Sequence, residues 1–210
     1  MFQQGVSRQT ASNLALLSQV DFVKKYFLAG GTTAALHLGH RLSYDLDFFS
    51  ENPVEPRVIV ASLKDLGNLK VLQNDEGTFN GSFNQVKLSF FVYPYPLLFP
   101  LIDYQGIKLA DIRDIGCMKL DAISRRGTKR DFIDLYFICK QHDLAKQLKW
   151  YERKFEKYSV PTWHVVKSLS YFKDADKNKL PKMLKSVDWQ EVKRFFTKKA
   201  IRLAKEWGVG

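Results

Sequence analysis

The sequence predicts an α/β protein, in which a mixed, partly antiparallel sheet is flanked by helices and extended by a C-terminal helical bundle. Two patterns support this fold class. Short segments with strand-like alternation, punctuated by glycine and proline, fill much of the first half of the 210-residue chain. From Asp111 onward, apolar residues recur at helical spacings instead. We therefore place a sheet-bearing domain at residues 1–105 and a helical domain at residues 106–210.

The first predicted elements lead to a glycine turn between a strand and a helix. Ser12–Asn13 can cap a helix that runs toward Lys25. A short buried strand at 27–29 then delivers a glycine pair, and a helix at 32–38 ends at Gly39. The chain returns from this helix in an alternating segment that contains two aspartates.

The rest of the predicted sheet follows this aspartate strand. Asn52-Pro53 ends the strand, and a helix is expected at 54–66. Three extended segments should form a meander beside the aspartate strand, namely 70–74, 78–83 and 85–92. Residues 107–109 are expected to add an edge strand.

Helices dominate the remaining chain. Asp111 or Asp114 can begin a helix that reaches Arg126. Thr128 begins the next helix, with Asp131 three positions later in a capping-box arrangement in which Asp replaces Glu. Further helices are predicted at 143–157, 161–172 and 188–207.

Charge and cysteine content narrow the class of protein. Of the formal net charge of +11, an excess of nine lies between Asp143 and the end, where 17 Lys and Arg face 8 Asp and Glu. This asymmetry fits a surface that holds a polyanion, and solvated helix faces explain it equally well.

Cys117 and Cys139 are predicted to be reduced and to bind no zinc. With no signal-like segment and no apolar run of about 20 residues, we expect a cytoplasmic protein outside the membrane.

The most informative stretch runs from the glycine pair to Phe49. Ser43, Asp45, Asp47 and Phe49 share one face of the predicted strand, because successive side chains alternate. Two neighbouring carboxylates repel each other unless a cation lies between them. Hard oxygen ligands beside a glycine turn at a helix start suit Mg²⁺ carrying a nucleoside triphosphate.

These residues resemble the first motif of polymerase-beta-type nucleotidyltransferases, and more closely that of the AbiEii/AbiGii toxin family. The resemblance implies a nucleotidyltransferase-type sheet and transfer of a nucleotidyl group from an NTP to a hydroxyl acceptor, with RNA such as tRNA as the implied acceptor. It further implies a toxin of a toxin–antitoxin or phage-defence pair, with a cognate antitoxin. Asp45 and Asp47 would be catalytic and hold Mg²⁺ or Mn²⁺. The implied nucleotide-binding residues are Gly30, Gly31, Thr32, Arg41 and Ser43.

A second stretch in the helical half also matches the family. Lys119 lies in Met-Lys-x-x-Ala-Ile, where its chemistry alone favours a side chain that snorkels to solvent. The resemblance instead implies that Lys119 is catalytic and holds the nucleotide's phosphates. Asp131, in Lys-Arg-Asp-x-x-Asp, would belong to the active site. Arg130 and Asp134 would support it, although for Asp134 a salt bridge fits equally well.

One position departs from the polymerase-beta pattern. Ser89 stands where relatives carry a third carboxylate, so either Asp131 supplies that group or the transfer step is impaired. Two alternatives therefore stay open: a degenerate nucleotide-binding or interaction module, and a small-molecule nucleotidyltransferase of the aminoglycoside type.

His37 and His40 have no acidic or Cys residue at a spacing that would complete a metal site, which predicts a surface pair of histidines rather than metal ligands. The segment 93–96 is expected to be an aromatic wall of the core.

Overall fold

The computed structural model describes residues 1–157 and 161–206, and the chain divides into two compact units, Met1–Asp111 and Ile112–Gly210. All strands of the described residues lie in the first unit, and the second is helical, which confirms the α/β fold class. The division falls after Asp111 rather than after residue 105. It does so because a hairpin formed by 102–109 belongs to the sheet.

The first long helix, α1, spans Arg8–Leu17 and follows a 3₁₀ turn at Gln3–Gly5. Its N-cap is Ser7, whose side chain accepts a hydrogen bond from the backbone of Thr10. The predicted cap at Ser12–Asn13 was wrong, because Asn13 lies inside the helix and donates to the Phe83 carbonyl at 2.7 Å. The helix also ends before Lys25, which belongs to a separate 3₁₀ helix at Asp21–Lys25.

A strand, a helix and a second strand form the centre of the first unit. Strand β1 spans Phe27–Ala29, α2 spans Gly30–Leu38, and β2 spans Leu46–Ser50. The predicted end of α2 is confirmed, since Gly39 adopts the left-handed conformation (φ 57°) that closes a helix. Strands β1 and β2 pair antiparallel, so the chain after α2 returns beside the strand that preceded it.

Seven strands form one mixed sheet in the order β3-β4-β5-β2-β1-β7-β6. Its remaining strands are β3 (Leu69–Asp75), β4 (Thr78–Phe83), β5 (Val86–Val92), β6 (Ile102–Tyr104) and β7 (Ile107–Leu109), and α3 spans Pro56–Lys64. The predicted meander β3-β4-β5 is confirmed, and β5 runs parallel to β2. The prediction that β7 is an edge strand was wrong, because β7 pairs with both β1 and β6.

The register between β2 and β5 decides which side chains face the core. Leu46 pairs with Leu88, and the rings of Phe48 and Phe90 stack at 5.1 Å. These four side chains are buried in one apolar core with residues of α1 and α3. The alternate residues of β2 and β5 therefore point to the opposite face of the sheet. That face carries Asp47.

The second unit consists of helices packed around α4 and α5. Its helices are α4 (Ile112–Arg125), α5 (Lys129–Cys139), α6 (Leu144–Phe155), α7 (Thr162–Ser168), α8 (Lys173–Asp176) and α9 (Trp189–Glu206). The helix predicted at 161–172 is shorter, since α7 ends at Ser168. The predicted helix end at Trp207 lies outside the described residues.

An aromatic cluster and a buried ion pair stabilise this unit. Phe132 of α5 packs against Phe172, Trp189 and Phe196, with ring centroids 5.0 to 6.0 Å apart. Elsewhere, Lys154 Nζ lies 2.7 Å from Asp114 Oδ1, and both side chains are fully buried. Neither feature contains a residue of the predicted site.

Candidate active site

The glycine turn places a helix start beside a carboxylate. Gly30 is the first residue of α2 and has a φ of +72°, which a side chain would strain. A Cβ at this position would lie 3.5 Å from Oδ2 of Asp47. Ala29, the N-cap residue, provides no side-chain hydrogen bond to the helix. The first N–H groups of α2 are therefore left to other acceptors, as in anion sites at helix N-termini.

Hydroxyl groups attach the start of the aspartate strand to α2. The Thr32 hydroxyl donates to the backbone carbonyl of Asp45, and its oxygen lies 2.9 Å from Ser43 Oγ. Both hydroxyl-bearing residues are buried. The side chains of Thr32 and Ser43 therefore position the chain that leads to the aspartates.

A buried guanidinium lies against the second glycine. Arg41 is only 2% exposed, and its Nη1 donates to the Leu42 carbonyl at 3.0 Å. A Cβ on Gly31 would lie 2.5 Å from Nη2 of Arg41. Gly31 is thus required for close packing of the guanidinium against the turn. Arg41 thereby places a buried positive charge beside the turn.

Both aspartates are half-buried, and Asp47 lies on the face of the sheet opposite the core. Asp47 is inside β2, whereas Asp45 directly precedes the strand. Among the described residues, no group of three His, Cys, Asp or Glu side chains could hold a metal ion. Mg²⁺ commonly uses one or two carboxylates together with water and substrate phosphates. The donor set thus fits a metal that binds with a nucleotide, rather than one enclosed by protein ligands.

Ser89 is the register partner of Asp47 on the neighbouring parallel strand. Its side chain is fully buried, and its hydroxyl has no hydrogen-bond partner among the described residues. The position expected for a third carboxylate is therefore next to Asp47 and holds a neutral hydroxyl.

The histidines near α2 do not form the predicted surface pair. His40 is fully buried, and His37 Nε2 lies 3.0 Å from the Ala110 carbonyl oxygen. Burial lowers the pKa of His37, and the hydrogen bond to Ala110 only partly opposes this. The prediction of an aromatic wall at 93–96 is confirmed only for Tyr93, which is buried and packs against Phe27 and Phe49, whereas Pro94 and Pro96 are exposed.

In the second unit, Lys119 of α4 lies between two carboxylates of α5. Its ammonium is 2.9 Å from Asp131 Oδ1 and 2.8 Å from Asp134 Oδ2. Lys119 is only 7% exposed, so the expectation from its chemistry alone, a side chain that snorkels to solvent, was wrong. The salt bridge considered for Asp134 is present. Arg130, by contrast, is exposed to solvent.

The predicted capping box holds Asp131 in place. Thr128 Oγ1 accepts from the Asp131 backbone, and the Asp131 carboxylate accepts from the Thr128 backbone at 3.2 Å. Burial by itself would raise the pKa of Asp131. The charge of Lys119 and hydrogen bonds from Thr128 and Lys119 outweigh burial, and they hold that pKa below its ordinary value. Asp131 is therefore ionised at neutral pH.

One contact at the start of α5 was not predicted. The backbone N–H of Lys129 donates to Asn178 Oδ1 at 3.1 Å, and Lys129 Nζ donates to the Asn178 carbonyl. The Lys129 ammonium also lies 5.3 Å from the centroid of the Trp189 ring. Asn178 and Trp189 lie 49 and 60 positions after Lys129, so local sequence patterns give no signal for these contacts.

Comparison with known proteins identifies the class. The fold matches solved structures of JHP933 from Helicobacter pylori (TM-score 0.54, 19% identity, covering 97% of this chain and 98% of that chain). It also matches the nucleotidyltransferase toxin MenT4 from Mycobacterium tuberculosis H37Rv (TM-score 0.54, 14% identity, covering 92% and 82%). The Aquifex aeolicus protein aq_aa25 is 36% identical over 182 residues, or 83% of this chain and 85% of that protein.

The mixed seven-stranded sheet is of the nucleotidyltransferase type, and the chain is a transferase of this class. A sequence model of the family described as "Nucleotidyl transferase AbiEii toxin, Type IV TA system" matches residues 14–206. The chain belongs to the AbiEii family of nucleotidyltransferase toxins. Within the described residues, no helix is long and apolar enough to cross a membrane.

Proposed function

We propose that this protein transfers a nucleoside monophosphate from an NTP to a hydroxyl group of RNA, such as a tRNA, at a site containing Asp45 and Asp47. The observation that carries the proposal is the position of Asp47, whose carboxylate borders Gly30 at the start of α2. A helix start favours phosphate, and the carboxylates favour a divalent cation. A triphosphate that carries a divalent metal would satisfy both the helix start and the carboxylates.

In the proposed reaction, the acceptor oxygen attacks the α-phosphorus of the NTP. The bond from that phosphorus to the bridging oxygen breaks, pyrophosphate leaves, and the acceptor hydroxyl gives its proton to water. Asp45 and Asp47 would hold Mg²⁺ or Mn²⁺, which when bound supplies positive charge to the phosphoryl oxygens.

The residues of the glycine turn would hold the triphosphate. Gly30, Gly31 and Thr32 contribute backbone N–H groups, because the Thr32 hydroxyl is already engaged with Asp45 and Ser43. Arg41 contributes the buried positive charge beside the turn. Charge fixed in advance at a phosphate site lowers the cost of reorganisation during transfer.

We assign Lys119 to the same reaction, as the residue that contacts the nucleotide's phosphates. Asp131 and Asp134 would hold its ammonium in one position, since both carboxylates lie within 3 Å of Nζ. Because the pKa of Asp131 is lowered, we assign it a charge-stabilising role rather than that of a general base.

RNA is the favoured acceptor because positive charge is concentrated in the last third of the chain. Exposed cations on α9 include Arg194, Lys198 and Lys205, and such residues bind nucleic-acid phosphates without reading bases. In this proposal the protein acts in the cytoplasm, where a cognate antitoxin counteracts it. Phage defence is one setting in which such a toxin would serve.

Incubation with each of the four NTPs labelled at the α-phosphate, Mg²⁺ and total RNA tests the proposal. We expect label on RNA from one or more NTPs, and none from NTPs labelled at the γ-phosphate. RNA whose terminal diol has been oxidised by periodate shows whether the acceptor is the 3′ end. Label on a small cationic acceptor, with none on RNA, would contradict the assignment of the acceptor.

A further inference from the structure

The register of the sheet places one hydroxyl beside the Asp47 carboxylate. Asp47 pairs with Ser89 across two parallel strands, and the flanking pairs Leu46–Leu88 and Phe48–Phe90 turn toward the apolar core. Asp47 and Ser89 must therefore share the opposite face. Adjacent strands lie about 4.8 Å apart, so the two side chains are direct neighbours.

The Ser89 hydroxyl is a buried polar group that a bound ligand could satisfy. Its oxygen is shielded from solvent and has no hydrogen-bond partner among residues 1–157 and 161–206. Buried hydroxyl groups without partners are disfavoured, and each is normally satisfied by protein, water or a ligand.

The neighbours of Ser89 across the sheet do not satisfy it. Asn80 is its register partner on β4, but the Asn80 amide donates to Gln73 Oε1 at 2.8 Å. On the far side of Asp47, the register partner is Ala29, which has only a methyl group. Among the described residues, the Ser89 hydroxyl is therefore the polar group at this level of the sheet that lacks a partner, and it lies next to Asp47.

We infer that Ser89 Oγ is the third protein oxygen of the metal site, completing the set begun by Asp45 and Asp47. This inference rests on the proposed metal site. A hydroxyl is a hard, neutral ligand, as is the Ser or Thr that binds Mg²⁺ in P-loop enzymes. The protein therefore presents two negative charges to the cation rather than three, and the triphosphate supplies the remaining charge. Metal binding should consequently depend strongly on bound nucleotide.

The Ser89→Cys variant tests the inference without relying on activity. A thiol nearly matches a hydroxyl in size, and a thiolate binds soft cations such as Cd²⁺. With Cd²⁺ and an NTP, we expect ultraviolet cadmium–thiolate absorption that is absent from the wild type, which also contains Cys117 and Cys139. The matched control is Ser82→Cys, because Ser82 lies on the same face but two strands from Asp47. Absorption equal to that of Ser82→Cys would overturn the inference.

A second variant tests the charge argument. Ser89→Asp should bind Mn²⁺ without nucleotide at least about tenfold more tightly than the wild type, measured by the electron paramagnetic resonance of unbound Mn²⁺. Unchanged affinity in a folded Ser89→Asp protein would contradict the inference. If wild-type protein with NTP binds no Mn²⁺, or if Asp47→Asn binds it equally well, the proposed metal site itself fails. If Asp47→Asn loses Mn²⁺ binding but Ser89→Cys shows no cadmium–thiolate absorption, the metal site stands and only the proposed role of Ser89 is rejected.

Discussion

Lys119 Nζ lies 2.9 Å from Oδ1 of Asp131, and both side chains are less than one-tenth exposed. The same ammonium lies 2.8 Å from Oδ2 of Asp134, whose side chain is fully buried. One ammonium therefore lies between two carboxyl groups in an environment that solvent barely reaches. Removal of the ammonium would leave two like charges buried together, which is costly.

We predict that Lys119→Met lowers the free energy of unfolding by about 3–5 kcal/mol, because it leaves uncompensated buried carboxylates. Urea denaturation followed by circular dichroism measures this change. Lys154→Met is the matched control, since Lys154 forms an equally buried ion pair with Asp114. Both variants should be destabilised to a similar extent.

Transfer activity should separate these two lysine variants. At a temperature where both are folded, Lys119→Met should lose nucleotidyl transfer, whereas Lys154→Met should retain it. If both variants retained transfer, Lys119 would have a structural role only.

The lowered pKa of Asp131 predicts how stability depends on pH. A carboxyl whose pKa is lower in the folded than in the unfolded state stabilises the protein above the unfolded value, near 3.9. This stabilisation is lost as the pH falls through the folded pKa. The difference in unfolding free energy between wild type and Asp131→Asn should therefore be constant from about pH 5 to 7 and shrink below about pH 4. Denaturant titrations across this range measure it, and a gap that widens toward low pH would contradict the assigned cause.

The capping box predicts a smaller effect at Thr128. Thr128→Ala removes the acceptor for the Asp131 backbone N–H and should cost about 1 kcal/mol. Thr128→Ser keeps the hydroxyl and should remain close to wild type in the same urea titration. Equal losses for both variants would show that the Thr128 methyl group, rather than the hydroxyl, matters.

Gly30 and Gly106 form a matched pair for testing the glycine turn. Both have a positive φ, and a Cβ at either would make only ordinary contacts, the nearest being 3.5 Å and 3.4 Å away. Alanine at either position should cost about 1–2 kcal/mol of backbone strain. Only Gly30→Ala should also impair NTP binding, measured by calorimetry, because its methyl group would border Asp47. Equal NTP affinity in both variants would argue against a phosphate site at this turn.

Features encoded by neighbouring residues could be predicted from the sequence. The position of Asp47 on the face opposite the core follows from strand alternation, although the strand does not extend to Asp45 as predicted. The capping box at Thr128 and Asp131 follows from a three-residue spacing. The glycine that ends α2 also carries a local signal. In each case, the chain within a few positions determines the geometry.

Features that depend on distant contacts could not be predicted. The predicted start of α1 at Ser12–Asn13 was wrong, because the Asn13 side chain donates to the Phe83 carbonyl, 70 positions away. Ser7 provides the N-cap instead. The sequence gives no signal for strand β6, and it therefore predicts β7 as an edge strand, although β7 pairs with β6. The Lys119 ion pairs join two helices, and sequence spacing alone does not show that both carboxylates reach one ammonium.

The proposed function depends on a divalent metal held by Asp45 and Asp47 during nucleotidyl transfer. The most direct measurement is the initial rate at which label from an α-labelled NTP enters RNA, with Mg²⁺, for wild type and for Asp45→Ala. Asp45→Ala should lower this rate at least about 100-fold and leave the circular dichroism spectrum unchanged. Transfer at the wild-type rate by folded Asp45→Ala protein would contradict the proposed metal site.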